Sequence, residues 1–272
     1  MKKLVILTLT WNAKEKLQAL YDSILPALEG IDWRWGIKDN GSNDNTVEIV
    51  ESWKNDRVTV FAYKNNLQNY SQGNNWLCQQ MAPEEGDYIL MLNNDIVFKD
   101  SESIKKMISI IDNDNSVGVV GCKLNYEDDP TKVQHVGVLF HPGNIGTPFH
   151  FRAGAKEEPR DRLNRLYPIV TGAVILTPFN LFKEIGGLNE KLHWCWDDSF
   201  YCMEVQNKNK KVVYCGETNI LHAESASLKK NPVNKLYFKQ NLQIFIDRWK
   251  NKIDKELVQK YDKDPNFMLY RQ

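Results

Sequence analysis

Short apolar runs alternate with amphipathic segments through the first half of the chain. Residues 4–7 read Leu-Val-Ile-Leu, a continuous apolar run that predicts a strand buried on both faces of a sheet. Apolar residues spaced by three and four predict a helix over residues 14–28. The same alternation predicts strands at 33–38, 58–63, 88–92 and 117–120, separated by helices at 46–53, 72–81 and 104–111. This order is typical of an α/β fold with a mostly parallel central sheet and helices on both faces.

The alternation stops after Cys122. Residues 123–166 are rich in Pro, Gly, His and charged residues without a clear period, which predicts a segment dominated by loops. Regular structure is predicted again further along, with strands at 169–170, 173–176 and 212–214 and helices at 180–185 and 198–207. Residues 231–259 predict a charged helix packed on the domain, with an interfacial membrane helix as the alternative.

Composition narrows the classes of function. The 272 residues contain 35 Lys plus Arg and 35 Asp plus Glu, a balance that disfavours a surface devoted to nucleic-acid phosphates. No window approaches the roughly 20 consecutive apolar residues of a membrane span. The apolar run after Met1-Lys2-Lys3 is short and lacks a cleavage site, so it predicts a first strand and a cytoplasmic protein. Five cysteines without a C-x-x-C pair predict reduced, mostly buried thiols.

Polar residues follow four of the predicted strands. In an open parallel sheet, ligands bind outside the carboxyl ends of the strands, so these residues are expected to share one edge. The four segments are Thr10-Trp11-Asn12, Asp39-Asn40-Gly41-Ser42-Asn43-Asp44, Asn65-Asn66 and Asn93-Asn94-Asp95. One such cluster is ordinary turn chemistry, whereas four at one edge predict a binding site. The first strand is followed by neither G-x-G-x-x-G nor a P-loop, so a metal on Asp95 is the candidate for neutralising a pyrophosphate.

Together with motifs in the second half, these segments resemble the inverting GT-A glycosyltransferases of family 2. The similarity is greatest to the bacterial rhamnosyltransferase-like branch, which builds cell-surface polysaccharides, and it spans about residues 4–227. The further motifs are Gly73-Asn74-Asn75, Thr171-Gly172-Ala173, Ile185-Gly186-Gly187-Leu188-Asn189-Glu190, Trp196-Asp197-Asp198 and His222-Ala223-Glu224-Ser225.

The resemblance implies a role for each matched residue. Asp198 would be the catalytic base, with Asp197 as its neighbour in the motif, and Asp95 and His222 would hold Mn²⁺ or Mg²⁺. Such roles fit the chemistry of sugar transfer. The acceptor alcohol must lose its proton to a base as it attacks the sugar, and a cation stabilises the charge of the departing diphosphate. Asp39 would accept a hydrogen bond from the nucleobase of the donor. The residues that bind the nucleotide sugar would be Thr10, Trp11, Asn12, Asp39, Gly41, Asn66, Gly73, Asn94 and Asp95. Gly172, Ala173 and Trp196 would line the acceptor or sugar pocket.

The resemblance also implies the organisation and the partners of the protein. Residues 1–228 would form the GT-A domain, with a nucleotide-sugar half at 1–122 and an acceptor and catalytic half at 123–228, followed by a helical extension at 229–272. The donor would be a UDP-, GDP- or dTDP-sugar. A glycan or lipid-linked glycan would be the acceptor, and the protein would be cytoplasmic, with peripheral association with the inner membrane face as an option. A modified base of phage DNA is the alternative acceptor. The rival functions are sugar nucleotidyl transfer and carbohydrate binding without turnover.

The chain departs from the family pattern at four positions. Asn93 replaces the first Asp of D-x-D, Phe200 replaces the last acid of E-D-x-D, and Asn69 and Gln72 replace glycines.

Several candidates also have a purely structural interpretation. Residues 39–44 would form a turn with Asp44 or Asn45 capping the next helix, and Asp197 and Asp198 would be helix-start carboxylates. The remaining histidines and the arginines of the irregular segment are expected at the surface or in loops: His135, His141, His150, His193, Arg152, Arg160, Arg162 and Arg165. As an alternative, one of these arginines would bind the donor diphosphate or an anionic acceptor.

Overall fold

The computed structural model describes residues 2–63, 69–142, 147–193, 195–223, 234–264 and 266–271. The strands are, in chain order, β1 (Leu4–Thr10), β2 (Trp33–Asp39), β3 (Val58–Ala62), β4 (Tyr88–Leu92), β5 (Ile96–Phe98), β6 (Val117–Cys122), β7 (Leu124–Tyr126), β8 (Val133–His135), β9 (Val138–Phe140), β10 (Pro148–His150), β11 (Arg165–Leu166), β12 (Val174–Pro178), β13 (Lys211–Cys215) and β14 (Ile220–His222). The helices are α1 (Lys14–Ala27), α2 (Thr46–Ser52), α3 (Tyr70–Met81), α4 (Ser103–Asn113), α5 (Phe179–Ile185), α6 (Asp197–Asn207), α7 (Asn234–Trp249) and α8 (Leu257–Lys263).

The central sheet has eight strands in the order β11-β13-β6-β12-β4-β1-β2-β3. Strands β3, β2, β1 and β4 are mutually parallel, and so are β6 and β13. Strand β12 is antiparallel to both β4 and β6, and the short β11 is antiparallel to β13. The predicted α/β fold with a mostly parallel sheet is therefore confirmed.

The apolar run of β1 is buried on both faces of this sheet. Because side chains alternate along a strand, Leu4 and Ile6 pack into one core, whereas Val5 and Leu7 pack into the other. Helix α3 lies close to the sheet, where a Cβ on Gly73 would come within 2.7 Å of Leu9. Gly73 therefore has a packing reason that requires no ligand.

Residues 123–166 lie mostly in loops, as predicted, but they also contain short strands that the sequence did not predict. Strands β5, β14, β7 and β8 form a second sheet in that order, and β9 pairs with β10. These strands of the segment have three residues each, too few to show an alternating period in the sequence. The strand predicted at 169–170 is also absent, since Ile169 makes only an isolated bridge to Val138.

The C-terminal tail is broken into α7, a 3₁₀ turn at Lys250–Lys252, and α8 rather than forming one helix. The carboxylate of Asp254 accepts a hydrogen bond from the backbone N–H of Glu256, a turn that competes with helix continuation. Within α7, the Asn241 amide donates to the carbonyls of His193 (2.7 Å) and Cys195 (3.0 Å). The tail thus supports the loop that leads into α6.

Two other expectations about the chain can be compared with the structure. All five cysteines are free, and four of them are buried, as predicted. Across the part of the chain that the structure describes, no helix is both long enough and apolar enough to cross a membrane.

The packing of the tail leads to a stability prediction. Phe245 is fully buried, and its ring lies 6.0 Å from Trp196 and 6.4 Å from Phe140. We expect Phe245→Ala to lower the free energy of unfolding by about 3–5 kcal/mol, because it leaves a cavity in the core. Phe238→Ala is the matched control, since Phe238 lies on the same helix but is 40% exposed. Denaturant unfolding that shows equal, small losses for both variants would mean that α7 does not pack as described.

Candidate active site

The turn after β2 is organised by the carboxylate of Asp39. This carboxylate is 2% exposed and accepts from the backbone N–H groups of Gly41 (3.0 Å) and Ser42 (2.9 Å) and from the Ser42 hydroxyl. Gly41 has a φ of +88°, a conformation that glycine adopts without strain. These bonds use three of about four acceptor positions on the carboxylate, which leaves one for a ligand.

The same turn is tied to the end of β1. Asn12 accepts from the N–H of Asn43 (2.8 Å) and donates its own N–H to Ser42 Oγ (2.8 Å). Asp44 accepts from the first N–H groups of α1 and α2, those of Lys14 (3.1 Å) and Thr46 (3.2 Å). The structural interpretation is therefore correct for Asp44, which caps two helices, while Asp39 retains a free acceptor position.

The end of β4 joins this edge through Asn94. Its amide donates to Thr10 Oγ1 (3.1 Å), and the carbonyl of Thr10 accepts from Asn40 (2.9 Å). Trp11 is 51% exposed beside them and offers an apolar face at the edge. Asn66 lies outside the described residues. The ends of β1, β2 and β4 thus form one connected polar surface, as expected for parallel strands.

Asp95 and His222 meet at the same edge. Asp95 follows β4, His222 ends β14, and the Asp95 Oδ1 to His222 Nε2 distance is 3.0 Å. The other ring nitrogen, Nδ1, lies 2.5 Å from the side-chain oxygen of Gln134. Gln134 donates its amide N–H to the carbonyl of His222 (3.3 Å), which fixes its oxygen toward the ring. His222 Nδ1 must therefore carry a proton, because the Gln134 oxygen can only accept.

This tautomer has a chemical consequence for the pair. In a neutral His222, Nε2 has a lone pair that faces Asp95 Oδ1, a buried oxygen with no hydrogen-bond donor among the described residues. Two acceptors 3.0 Å apart favour a cation beside them, and a metal ion would supply one in addition to the Lys16 ammonium, which lies 3.8 Å from the other carboxylate oxygen of Asp95. Oxygen and imidazole nitrogen both suit Mn²⁺, so the residues present fit half of a divalent metal site. Among the described residues, no group of three His, Cys, Asp or Glu forms a complete site.

Asp198 begins the second half of the site. Its Oδ2 accepts from the backbone N–H of Gly172 (2.8 Å), and its Oδ1 accepts from Ser199 (2.6 Å). The hydroxyl of Tyr70, the first residue of α3, donates to the carbonyl of Gly172 (2.8 Å). A Cβ at Gly172 would lie 3.3 Å from the Cβ of Asp198, so the absence of a side chain brings the carboxylate close.

Asp197 has a different environment from its neighbour. It is 5% exposed and accepts a hydrogen bond from the hydroxyl of Ser71 (2.5 Å). Burial raises the pKa of its carboxyl to about 7, the Ser71 hydrogen bond opposes the shift, and the charge of Asp198 adds to it. Asp198 is only partly buried, so it is the carboxylate of the pair that a substrate can reach.

Comparisons with known proteins identify the family of the chain. The model of the family described as glycosyl transferase family 2 matches residues 5–186, more than half of the chain. The chain belongs to glycosyltransferase family 2. This membership confirms the resemblance and the enzyme class that the sequence motifs predict.

Two curated relatives are longer than this chain. It is 28% identical over 210 residues to the O-antigen biosynthesis protein RfbC of Myxococcus xanthus, covering 72% of this chain and 15% of RfbC. Identity to the O-antigen chain rhamnosyltransferase WbaN of Salmonella anatum is 20%, covering 70% of this chain and 56% of WbaN. The chain therefore spans less than two thirds of the length of either relative.

Solved structures share the GT-A fold of this family. GalNAc-T7 with UDP, GalNAc and Mn²⁺ superimposes with a TM-score of 0.65 at 12% identity, covering 85% of this chain and 45% of that one. TarS of S. aureus in complex with UDP-GlcNAc gives a TM-score of 0.64 at 15% identity, covering 97% and 72%. At these identities the comparison supports the fold alone.

One residue of the family 2 motifs does not lie where the resemblance implies. Trp196 is 8% exposed, and its ring packs 5.2 Å from Phe238 and 6.0 Å from Phe245 on α7. It belongs to the interior, not to the wall of an open sugar pocket. Ala173 is also buried, and its carbonyl accepts from the N–H of Asn93 (2.9 Å), which joins the two halves of the site.

The surface assignment of His135, Arg152 and Arg165 was wrong. His135 is fully buried and Arg165 is 4% exposed. The guanidinium of Arg152 is paired with Asp161, with its Nε 3.0 Å from a carboxylate oxygen. His135 and Arg165 are buried and Arg152 is partly buried, because each has a polar partner that a single sequence does not reveal. Arg162, by contrast, is exposed as expected.

Sequence reasoning also missed Lys38. Its side chain is 1% exposed, donates to the Asn40 side chain and lies 4.7 Å from the centre of the Tyr63 ring. Burial lowers the pKa of its ammonium, and the charge of Asp39 opposes this shift. The signal was present, since Lys38 continues a strand that is buried on both faces. It places a cation directly behind the polar edge.

Proposed function

We propose that the chain transfers a sugar, with inversion, from a nucleoside-diphosphate sugar to an acceptor hydroxyl. One observation carries this proposal: the Asp95–His222 pair and the Asp198 carboxylate are joined through a single short stretch of backbone. Asn93 donates to the carbonyl of Ala173, and Gly172 donates to Asp198. The proposed metal site and the proposed base would thus lie on either side of this stretch of backbone.

Asp95 and His222 would hold the divalent metal, and Gln134 would orient the imidazole. When bound, the metal supplies a positive charge that stabilises the departing nucleoside diphosphate. The remaining ligands would come from the diphosphate itself, since the described residues offer this pair and no third His, Cys, Asp or Glu beside it. The Mn²⁺ and UDP in the GalNAc-T7 structure support this assignment. An imidazole ligand favours Mn²⁺ over Mg²⁺.

Asp198 would take the proton of the attacking hydroxyl. The backbone N–H groups of Gly172 and Ser199 orient its carboxylate, and its partial exposure lets an acceptor approach. Attack from the side of Asp198, opposite the departing diphosphate, would invert the configuration at the anomeric carbon. Asp197 would serve as a buried support rather than as a second base.

The nucleotide would lie along the ends of β1, β2 and β4. Asp39 would accept a hydrogen bond from the nucleobase through its free acceptor position. The residues beside it would be Thr10, Trp11, Asn12, Gly41, Asn66, Gly73 and Asn94. Residues 1–122 would then form the nucleotide-sugar half, residues 123–228 the acceptor half, and residues 229–272 the extension that supports α6.

The names of two relatives concern O-antigen, a cell-surface polysaccharide. We therefore propose a glycan or lipid-linked glycan as the acceptor, reached from the cytoplasm at the inner membrane face. The donor would be a UDP-, GDP- or dTDP-sugar, and a panel of these identifies it through release of the nucleoside diphosphate.

The metal assignment predicts that nucleotide binding depends on Mn²⁺. By calorimetry, EDTA should abolish tight binding of the nucleoside diphosphate that wild type releases in this panel, and Asp95→Ala should lose the response to added Mn²⁺. Gln134→Leu should weaken Mn²⁺ binding about ten- to a hundred-fold, because it removes the group that orients His222. Asp128→Ala, which changes an exposed acid outside the site, is the control. Nucleotide affinity that is equal with and without EDTA would rule out the metal site.

The assignment of the base is tested by two neighbouring substitutions. Asp198→Asn should lower kcat about 10²- to 10⁴-fold while donor affinity changes less than two-fold, since only the proton acceptor is removed. Asp197→Asn should keep kcat within a few-fold, because Ser71 can still donate to the amide oxygen. The readout is nucleoside diphosphate released from the sugar nucleotide that wild type uses. The reverse order of the two variants would make Asp197 the base, and normal kcat in both would refute the mechanism.

A further inference from the structure

Two histidines from the segment predicted as loops lie together next to the site. His135 ends β8 and is fully buried, whereas His150 ends β10 and is exposed. Their Nδ1 atoms are 3.0 Å apart, and the two rings meet edge to face with centroids 5.1 Å apart. A contact of this length between two ring nitrogens is a hydrogen bond in which one donates and the other accepts.

The backbone determines which nitrogen donates. The N–H of Thr171 donates to Nε2 of His135 (3.2 Å), so that nitrogen has no proton. Burial lowers the pKa of His135 well below its usual value, with further lowering by His150 and His222, so the ring is neutral. Its single proton is therefore on Nδ1 and is donated to Nδ1 of His150. A neutral His150 must then carry its own proton on Nε2.

The position of His150 relates it to both halves of the site. Thr171 directly precedes Gly172, which binds the Asp198 carboxylate. Its partner His135 is joined through Thr171 to the Gly172 N–H that binds Asp198, and His135 directly follows Gln134, whose side chain contacts His222.

We propose that His150 is a sugar-binding residue, whose Nε2–H donates a hydrogen bond to a hydroxyl of the transferred sugar. His135 is the positioning residue that keeps this proton on Nε2. This inference rests on the proposed function: in an inverting transfer, the donor sugar occupies the space between the leaving diphosphate and the base. His150 is bonded to His135, which links the surroundings of Asp198 and His222, and its Nε2–H has no partner among the described residues, so it is placed to contact that sugar.

The test compares a sugar nucleotide with the nucleoside diphosphate that lacks the sugar. Calorimetry with Mn²⁺ uses the sugar nucleotide that wild type turns over in the UDP-, GDP- and dTDP-sugar panel. His150→Leu should weaken binding of the sugar nucleotide about three- to ten-fold, the effect of one neutral hydrogen bond. Binding of the nucleoside diphosphate should change less than two-fold. His150→Gln should restore sugar-nucleotide affinity, because its amide N–H lies near the position of Nε2.

His141→Leu is the matched control, since His141 is exposed just after β9, which pairs with β10, and its ring contacts Phe149 rather than His135. It should bind both ligands like wild type. Equal weakening of both ligands by His150→Leu, or no weakening of either, would overturn the proposal.

The tautomer is tested separately in the free protein. Imidazole ¹⁵N–¹H correlation spectra should show His150 protonated on Nε2 and unprotonated on Nδ1, and His135→Phe should release this preference. A proton on Nδ1 of His150 in wild type would also overturn the proposal. A wild-type protein that shows this tautomer but turns over no sugar nucleotide would instead contradict the proposed function.

Discussion

The reversed direction of strand β12 is the constraint on which the site depends. Because β12 is antiparallel to β4, its first residue, Val174, pairs with the last residue of β4, Leu92. The stretch Thr171-Gly172-Ala173 therefore lies at the carboxyl edge of the parallel strands, beside Asn94 and Asp95. In an all-parallel sheet the start of this strand would lie at the opposite edge, far from any nucleotide. The reversal brings the proposed base to the proposed metal.

Helix α3 makes the second connection between the halves. Its N-terminus is closed by a capping box, in which Asn69 Oδ1 accepts from the N–H of Gln72 (2.8 Å) and Gln72 Oε1 accepts from the N–H of Asn69 (3.2 Å). The next residues, Tyr70 and Ser71, bond to Gly172 and Asp197. The family's glycines at 69 and 72 are thus replaced by residues that fix the start of the helix. Phe200 has a similar explanation, because its ring packs 5.7 Å from Trp249 of the tail.

The sequence was sufficient for those parts of the protein that repeat a period over many residues. Seven strands of the central sheet (all but β11) and the helices of the first half follow from apolar spacing, and the polar ends of three described strands do meet at one edge. Asp95 and His222 were paired by resemblance to the family, and the structure places them 3.0 Å apart. Strands of three residues carry no such period, so the second sheet was missed.

The burial of individual side chains was the second feature that the sequence did not predict. His135 is tolerated in the interior only because Thr171 and His150 satisfy both of its nitrogens, and these partners are distant in sequence. Trp196 was expected beside a sugar, but a helix from the tail covers its ring. Both cases depend on which segments meet in three dimensions, which local composition does not encode.

The central claim is that the donor sugar lies between a metal on Asp95 and His222 and the base Asp198. The most direct measurement is ¹H NMR of the anomeric proton of the glycoside that forms on the acceptor hydroxyl during turnover of the sugar nucleotide selected from the panel. The account predicts the opposite anomeric configuration to that of the donor, since the hydroxyl attacks from the Asp198 side. A first-formed product with the donor's configuration would contradict it.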